Sequence, residues 1–257
     1  GIVLAGQLGI IGSATSPDSS TQSSSQSTDK ADGGHSSNGS GTDNANGTGG
    51  VGGTDGADGD NQDTVTDNPL KIVESGWSAD QQGYVHYAFA LRNTSKTQQV
   101  QYPQITITGR AKDGSIVFSQ TQALNMAFPN QTVYDAGQAG EGTAPETVDF
   151  TVLNPDTYNV AKAQGTAAFP ISGISKIDNR DGGTTFNGEV RAVADGFKPS
   201  DGQQIKISLV LRNAQNAIIY GDIAFVDWPG NGRSTPFSIT VYDLPKYVSY
   251  DLYAQIW

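Results

Sequence analysis

Between Ser13 and Pro69 the chain has only two large apolar residues, Val51 and Val65, in a run of Ser, Thr, Gly, Asp, Asn and Gln. Such a stretch cannot bury enough apolar surface to offset the entropy of ordering it, so residues 13–69 are expected to be a disordered linker. Folding is left to residues 70–257, a length that suits one large or two small domains. By random-coil scaling the linker would reach roughly 40 Å, and more when its charges repel.

The formal net charge is −11. Most of it lies in the linker, which has nine Asp against Lys30 alone. The remaining surface is nearly balanced, which argues against nucleic acid as a partner, since that footprint needs clustered Lys and Arg. The chain has no Cys, which excludes disulfides, thiolate nucleophiles and thiolate metal sites. This composition suits an exported bacterial protein that folds without disulfides.

Residues 1–12 carry no charge but are too few to cross a bilayer, which takes about twenty residues. They are expected to be the end of a transmembrane or signal segment that begins before Gly1. Gln7 stands where a lipidated Cys would follow Leu4-Ala5-Gly6, which excludes a lipid anchor at that position. A retained N-terminal helix would place the protein at the cell membrane, single-pass, on the extracytoplasmic side. The alternative is cleavage near Gly12-Ser13-Ala14, after which the protein would be secreted.

Beyond the linker the chain alternates with the period of strands. Over 70–168, Val85, Tyr87, Phe89 and Leu91 point one way, and Tyr84, His86, Ala88 and Ala90 point the other, towards solvent. Ile105-Thr-Ile-Thr and Ile116-Val-Phe flank Asp113-Gly114, whose glycine suits a hairpin turn. Val148, Phe150 and Val152 form a further inward row. Over 169–257, Ile171, Ile174 and Ile177 mark an opening strand. The inward rows there are Ile205, Ile207, Leu209 and Leu211, then Phe237, Ile239 and Val241, then Val248 to Ile256. No window has a helical period. About seven short strands in the first half, and similar inward rows in the second, point to an all-β fold of two tandem antiparallel β-sandwiches, 70–168 and 169–257. Pro170 stiffens the junction, and separate cores with a limited hinge are expected.

The halves read as copies. Ile105-Thr-Ile-Thr matches Ile205-Lys-Ile-Ser, Ile116-Val-Phe matches Ile218-Ile-Tyr, and Phe128-Pro129 matches Trp228-Pro229. A fourth match aligns Phe150 to Tyr158 with Ile239 to Tyr247. Two copies favour a structural or binding role, since repetition adds reach or valency.

Ala88-Phe-Ala-Leu-Arg-Asn-Thr-Ser-Lys96, Ile105-Thr-Ile-Thr-Gly-Arg-Ala-Lys-Asp-Gly-Ser-Ile-Val117 and the turn Phe128-Pro-Asn-Gln-Thr132 resemble the FxLYD type of bacterial extracytoplasmic domain. The resemblance covers about 70–155 and extends to the second half through the repeat. It implies a small immunoglobulin-like sandwich behind a transmembrane segment or signal, with no catalytic residues to carry over.

Chemistry is sparse. His35 lies in the linker, and His86, in mid-strand, has no Gly-x-Ser-x-Gly elbow to serve as base. Four Glu (74, 141, 146, 189) show no carboxylate-pair pattern. Asp55, Asp58, Asp60 and Asp63 suggest calcium but lack the Gly and Glu of an EF-hand loop, and read as spacer. No cofactor, metal site or catalytic residue is expected. Exposed aromatics remain, and Trp77, Tyr102, Trp228, Tyr253 and Trp257 are the candidate ligand-binding residues. The sequence therefore points to a non-catalytic, membrane-anchored surface module for adhesion, envelope scaffolding or sensing, with an envelope protein or glycan as partner. The alternative is a carbohydrate- or peptide-binding protein that uses those aromatics.

Overall fold

The computed structural model describes residues 67–257. Residues 1–66, with the expected transmembrane or signal segment and the Asp55–Asp63 run, lie outside the described residues. The described chain is all-β, with one turn of 3-10 helix at Thr157–Asn159. Asn68 already bonds to the body, its Nδ2 donating to Leu153 O at 3.1 Å and to Asn154 Oδ1 at 3.0 Å.

The first half contains β1 (Leu70–Ala79), β2 (Val85–Asn93), β3 (Gln98–Gln101), β4 (Gln104–Arg110), β5 (Ile116–Ala123), β6 (Met126–Ala127), β7 (Thr132–Ala139), β8 (Thr147–Val152), β9 (Val160–Lys162) and β10 (Thr166–Ala168). The second contains β11 (Ile171–Asp178), β12 (Thr184–Arg191), β13 (Val193–Asp195), β14 (Gln204–Arg212), β15 (Ile218–Asp227), β16 (Ser234–Val241) and β17 (Ser249–Ile256). Antiparallel sheets run β1-β2-β7 and β5-β4-β8 in the first half, and β11-β12-β16 and β15-β14-β17 in the second.

Alternation builds each core. Val85, Tyr87, Phe89 and Leu91 of β2 meet Ile105 and Ile107 of β4 and Phe118 of β5, with Val148, Phe150 and Val152 packed against them. Ile205, Ile207, Leu209 and Leu211 of β14 meet Phe186 of β12 and Phe237, Ile239 and Val241 of β16. Turn chemistry closes the hairpins: Gly114 has φ 84°, and Asp113 Oδ1 accepts from Ser115 N at 3.0 Å.

Ala88 and Ala90 differ from the expectation. They are fully buried, because the outer face of β1-β2-β7 packs on the sheet β15-β14-β17. The four sheets thus stack, and both inner central strands are covered on two faces. Ala88 and Ala136 pack there against Val210 and Ile218. Two glycines set the spacing. A Cβ on Gly76 would fall on the carbonyl oxygen of Ile218, and one on Gly221 would fall on that of Tyr87. Small side chains read as a solvent face in the sequence because nothing in a single strand's alternation reports a second sheet.

Polar groups close the seam. Lys206 Nζ lies 2.7 Å from Asp135 Oδ1, with both side chains buried, and Gln255 Nε2 donates to the same oxygen at 2.6 Å. Burial pushes the Asp135 carboxyl above the usual carboxylate range, against the pull of Lys206. Elsewhere Arg212 pairs with Glu74 and with Asp251, and Tyr134 stacks on Tyr253 with ring centroids 3.7 Å apart.

Other details also depart from the sequence reading. Ile174 and Ile177 of β11 are exposed, as is Val248, which precedes β17. Phe169 and, from the first half, Met126 and Phe128 belong to the second core. In the first two repeat matches, β4 and β5 hold the same places in their sheet as β14 and β15 hold in theirs. The fourth match does not hold, since β8 borders β4 whereas β16 borders β12, and the strand in the place of β8 is β17.

Candidate functional site

The five aromatics separate by environment. Trp77, paired across the sheet with Tyr87, packs on the first core. Trp228 packs on the second core, edge-on to Phe169 at 5.7 Å. Tyr253 stacks on Tyr134 in the seam. Tyr102 and Trp257 come together, although they lie far apart in sequence. Both line a hollow of about 230 Å³ with Ala123, Leu124 and Asn125.

Several contacts fix Trp257 at the wall of this hollow. Its backbone pairs with Gln204, N to O at 2.9 Å and O to N at 3.1 Å, and Gln203 Nε2 donates to the same carbonyl. Lys206 Nζ sits 4.6 Å from its ring centroid and Phe225 at 5.6 Å. The ammonium that pairs with Asp135 therefore also positions the indole.

Tyr102 follows β3, and its N–H donates to Asn125 O at 3.0 Å. It also lines a second hollow of about 200 Å³, with Gln104, Leu153, Asn154, Pro155, Asp156 and Asn159. Asp156 Oδ2 accepts from Tyr158 OH at 2.7 Å, beside a Tyr158 ring that is itself exposed. An aromatic ring between an apolar recess and a row of amides and a carboxylate can stack a ring and bond its substituents.

His86 is not a plain strand residue. Its ring stacks on Tyr220 with centroids 4.7 Å apart, and Nε2 lies 3.3 Å from Asp80 Oδ2. Ser78, its cross-strand partner, lines a small hollow of about 110 Å³ together with His86, Asp80 and Tyr220 but makes no side-chain hydrogen bond to His86. The His86–Asp80 pair closes one end of the seam. The sequence hides it because Asp80 lies in the turn and Tyr220 in the other half. Among the described residues no group of three or more His, Asp or Glu is placed to hold a metal ion.

No family model and no curated protein sequence matches the chain. Among solved structures, the exo-chitosanase CsxA of Amycolatopsis orientalis aligns over 68% of this chain and 24% of its own, at 11% identity and a TM-score of 0.19. A variant of that enzyme in complex with PNP-beta-D-glucosamine aligns over the same shares at 10% identity and a TM-score of 0.18. The chain thus spans about a quarter of those structures, and likeness at this level falls short of a shared fold.

Proposed function

We propose that this protein is a non-catalytic extracytoplasmic surface module. Two immunoglobulin-like sandwiches form one stiff head, carried on the Ser/Gly/Asp-rich stalk and anchored through the N-terminal segment. It serves adhesion, envelope scaffolding or sensing, with an envelope protein or glycan as partner. The seam carries this reading. Two freely hinged modules would offer separate weak contacts, whereas halves joined through Ala88, Ala136, Val210 and Ile218, and through Lys206–Asp135, offer one surface of fixed geometry. The alternative, a carbohydrate- or peptide-binding protein, is favoured by one observation, the meeting of Tyr102 and Trp257 at one hollow.

The test is capture from envelope extract by the full chain, compared with a Gly221→Val variant whose sheets cannot close. Capture that is lost when the seam opens supports a rigid head. No capture, or capture indifferent to the seam, contradicts it.

A further inference from the structure

Four non-glycine residues among those described have positive φ: Tyr102 at 49°, Asn130 at 55°, Asn216 at 62° and Asp243 at 52°. Asn and Asp tolerate the left-handed region, whereas an aromatic residue there costs roughly 1–2 kcal/mol. Burial of the Tyr102 ring does not offset that cost, because the residue is 57% exposed. A strained backbone that displays an exposed ring between two hollows signals a site.

We infer that Tyr102 is the stacking platform of a binding site for a neutral oligosaccharide. The inference rests on the reading of the protein as a binding module and names its ligand class. The C–H face of a pyranose is apolar and stacks on an aromatic ring, while its hydroxyls project sideways and both donate and accept. The walls match both demands. Trp257, Ala123 and Leu124 supply an apolar recess on one side. Gln104, Asn154, Asp156 and Asn159 supply amides and one carboxylate on the other. The side chain of Gln104 has no protein hydrogen-bond partner among the described residues, and Asn159 gives only a long 3.5 Å contact to Asp156, so both have capacity for a ligand.

Charge selects within the sugars. No Lys or Arg lines either hollow, and Asp156 lines the polar one. The site therefore rejects uronates and sulfated glycans and accepts uncharged ones. Because Tyr102 stands between the hollows, a sugar on its ring has room for a neighbouring unit on either side, which favours an oligomer over a monosaccharide.

The test uses the full chain on an array of neutral and anionic glycans, followed by tryptophan-fluorescence titration with cellohexaose, laminarihexaose, maltohexaose and any further neutral hit, and with polygalacturonate as anionic control. The decisive variant is Tyr102→Asn, which removes the ring but suits the left-handed backbone, so the turn and the melting temperature are kept. At least one neutral oligomer is expected to bind, with affinity lowered tenfold or more by Tyr102→Asn and about threefold by Asp156→Asn, and polygalacturonate is expected not to bind. Absence of neutral binding, or neutral binding unchanged in Tyr102→Asn, overturns the inference. If extract capture persists in Tyr102→Asn while no glycan binds, the rigid-head reading stands and the saccharide site falls. If only a peptide or protein ligand is lost with Tyr102, the site is real but its ligand class is wrong.

Discussion

Arg212 grips Glu74 with both terminal nitrogens, Nη1 at 2.7 Å from Oε2 and Nη2 at 3.0 Å from Oε1, tying β14 to a strand 138 residues earlier. Tyr134 OH donates to the same carboxylate at 2.5 Å, and Asp251 accepts from Arg212 Nε at 2.8 Å. A planar fork on a carboxylate fixes distance and orientation together, which a row of apolar contacts does not. The seam is thus specified by geometry as well as by burial.

The carboxyl of Glu74 is held below its ordinary range, chiefly by the Arg212 hydrogen bonds, with partial burial opposing. A depressed carboxylate contributes stability above its unfolded pKa of about 4.3 and loses it as pH falls through the folded value. Glu74→Gln should therefore cost about 1–2 kcal/mol at pH 7 and much less at pH 3. Urea midpoints of both proteins at the two pH values check this. An equal cost at both would show that the carboxylate charge is not what binds Arg212.

Lys206 and Asp135 are almost without solvent contact, so removing one partner strands the other. Lys206→Met should destabilise the fold by about 3–5 kcal/mol, and pairing it with Asp135→Leu should recover most of that loss. Chemical denaturation of the two singles and the double mutant measures the coupling. A double mutant as unstable as Lys206→Met would mean that the pair's shape, not its charge, matters.

Gly221→Val places a branched side chain where Tyr87 O, Ala136 and Ala88 already sit. Overpacking of this kind costs about 3 kcal/mol or more when backbone must move. Amide exchange should show new openings at Ala88, Ala136 and Val210, while Ile105 and Phe237, on the outer sheets, stay protected. Unchanged exchange at those three amides would show that the seam does not depend on the close approach at Gly221.

Much of the fold was legible in the sequence because period-two rows report which side of a strand is apolar. The rows at Val85–Leu91 and Ile205–Leu211 both line cores as expected. What a row cannot report is whether the opposite side meets water. Ala88 and Ala90 looked like a solvent face only because they are small, and smallness is what lets two sheets approach. Asp135 and Lys206 sit in mid-strand, where charge normally signals exposure, and only the other half reveals their pairing. The match of Phe150–Tyr158 with Ile239–Tyr247 fails for a related reason: β8 and β16 share letters because each turns one apolar row inward, not because they occupy one place. At the candidate site, Tyr102 and Trp257 stand out in the sequence as aromatics in excess of core needs. Their neighbours Gln104, Asn154 and Asp156 give no signal, since isolated polar residues at strand ends and in loops are common.

The central claim is that the two halves form one stiff body. Differential scanning calorimetry of the full chain tests it most directly, by comparing calorimetric with van't Hoff enthalpy. The account predicts a single transition with the two enthalpies equal, and Lys206→Met lowering that one transition as a whole. Two separable transitions in the parent protein, with Lys206→Met shifting only the one that belongs to the second half, would contradict it.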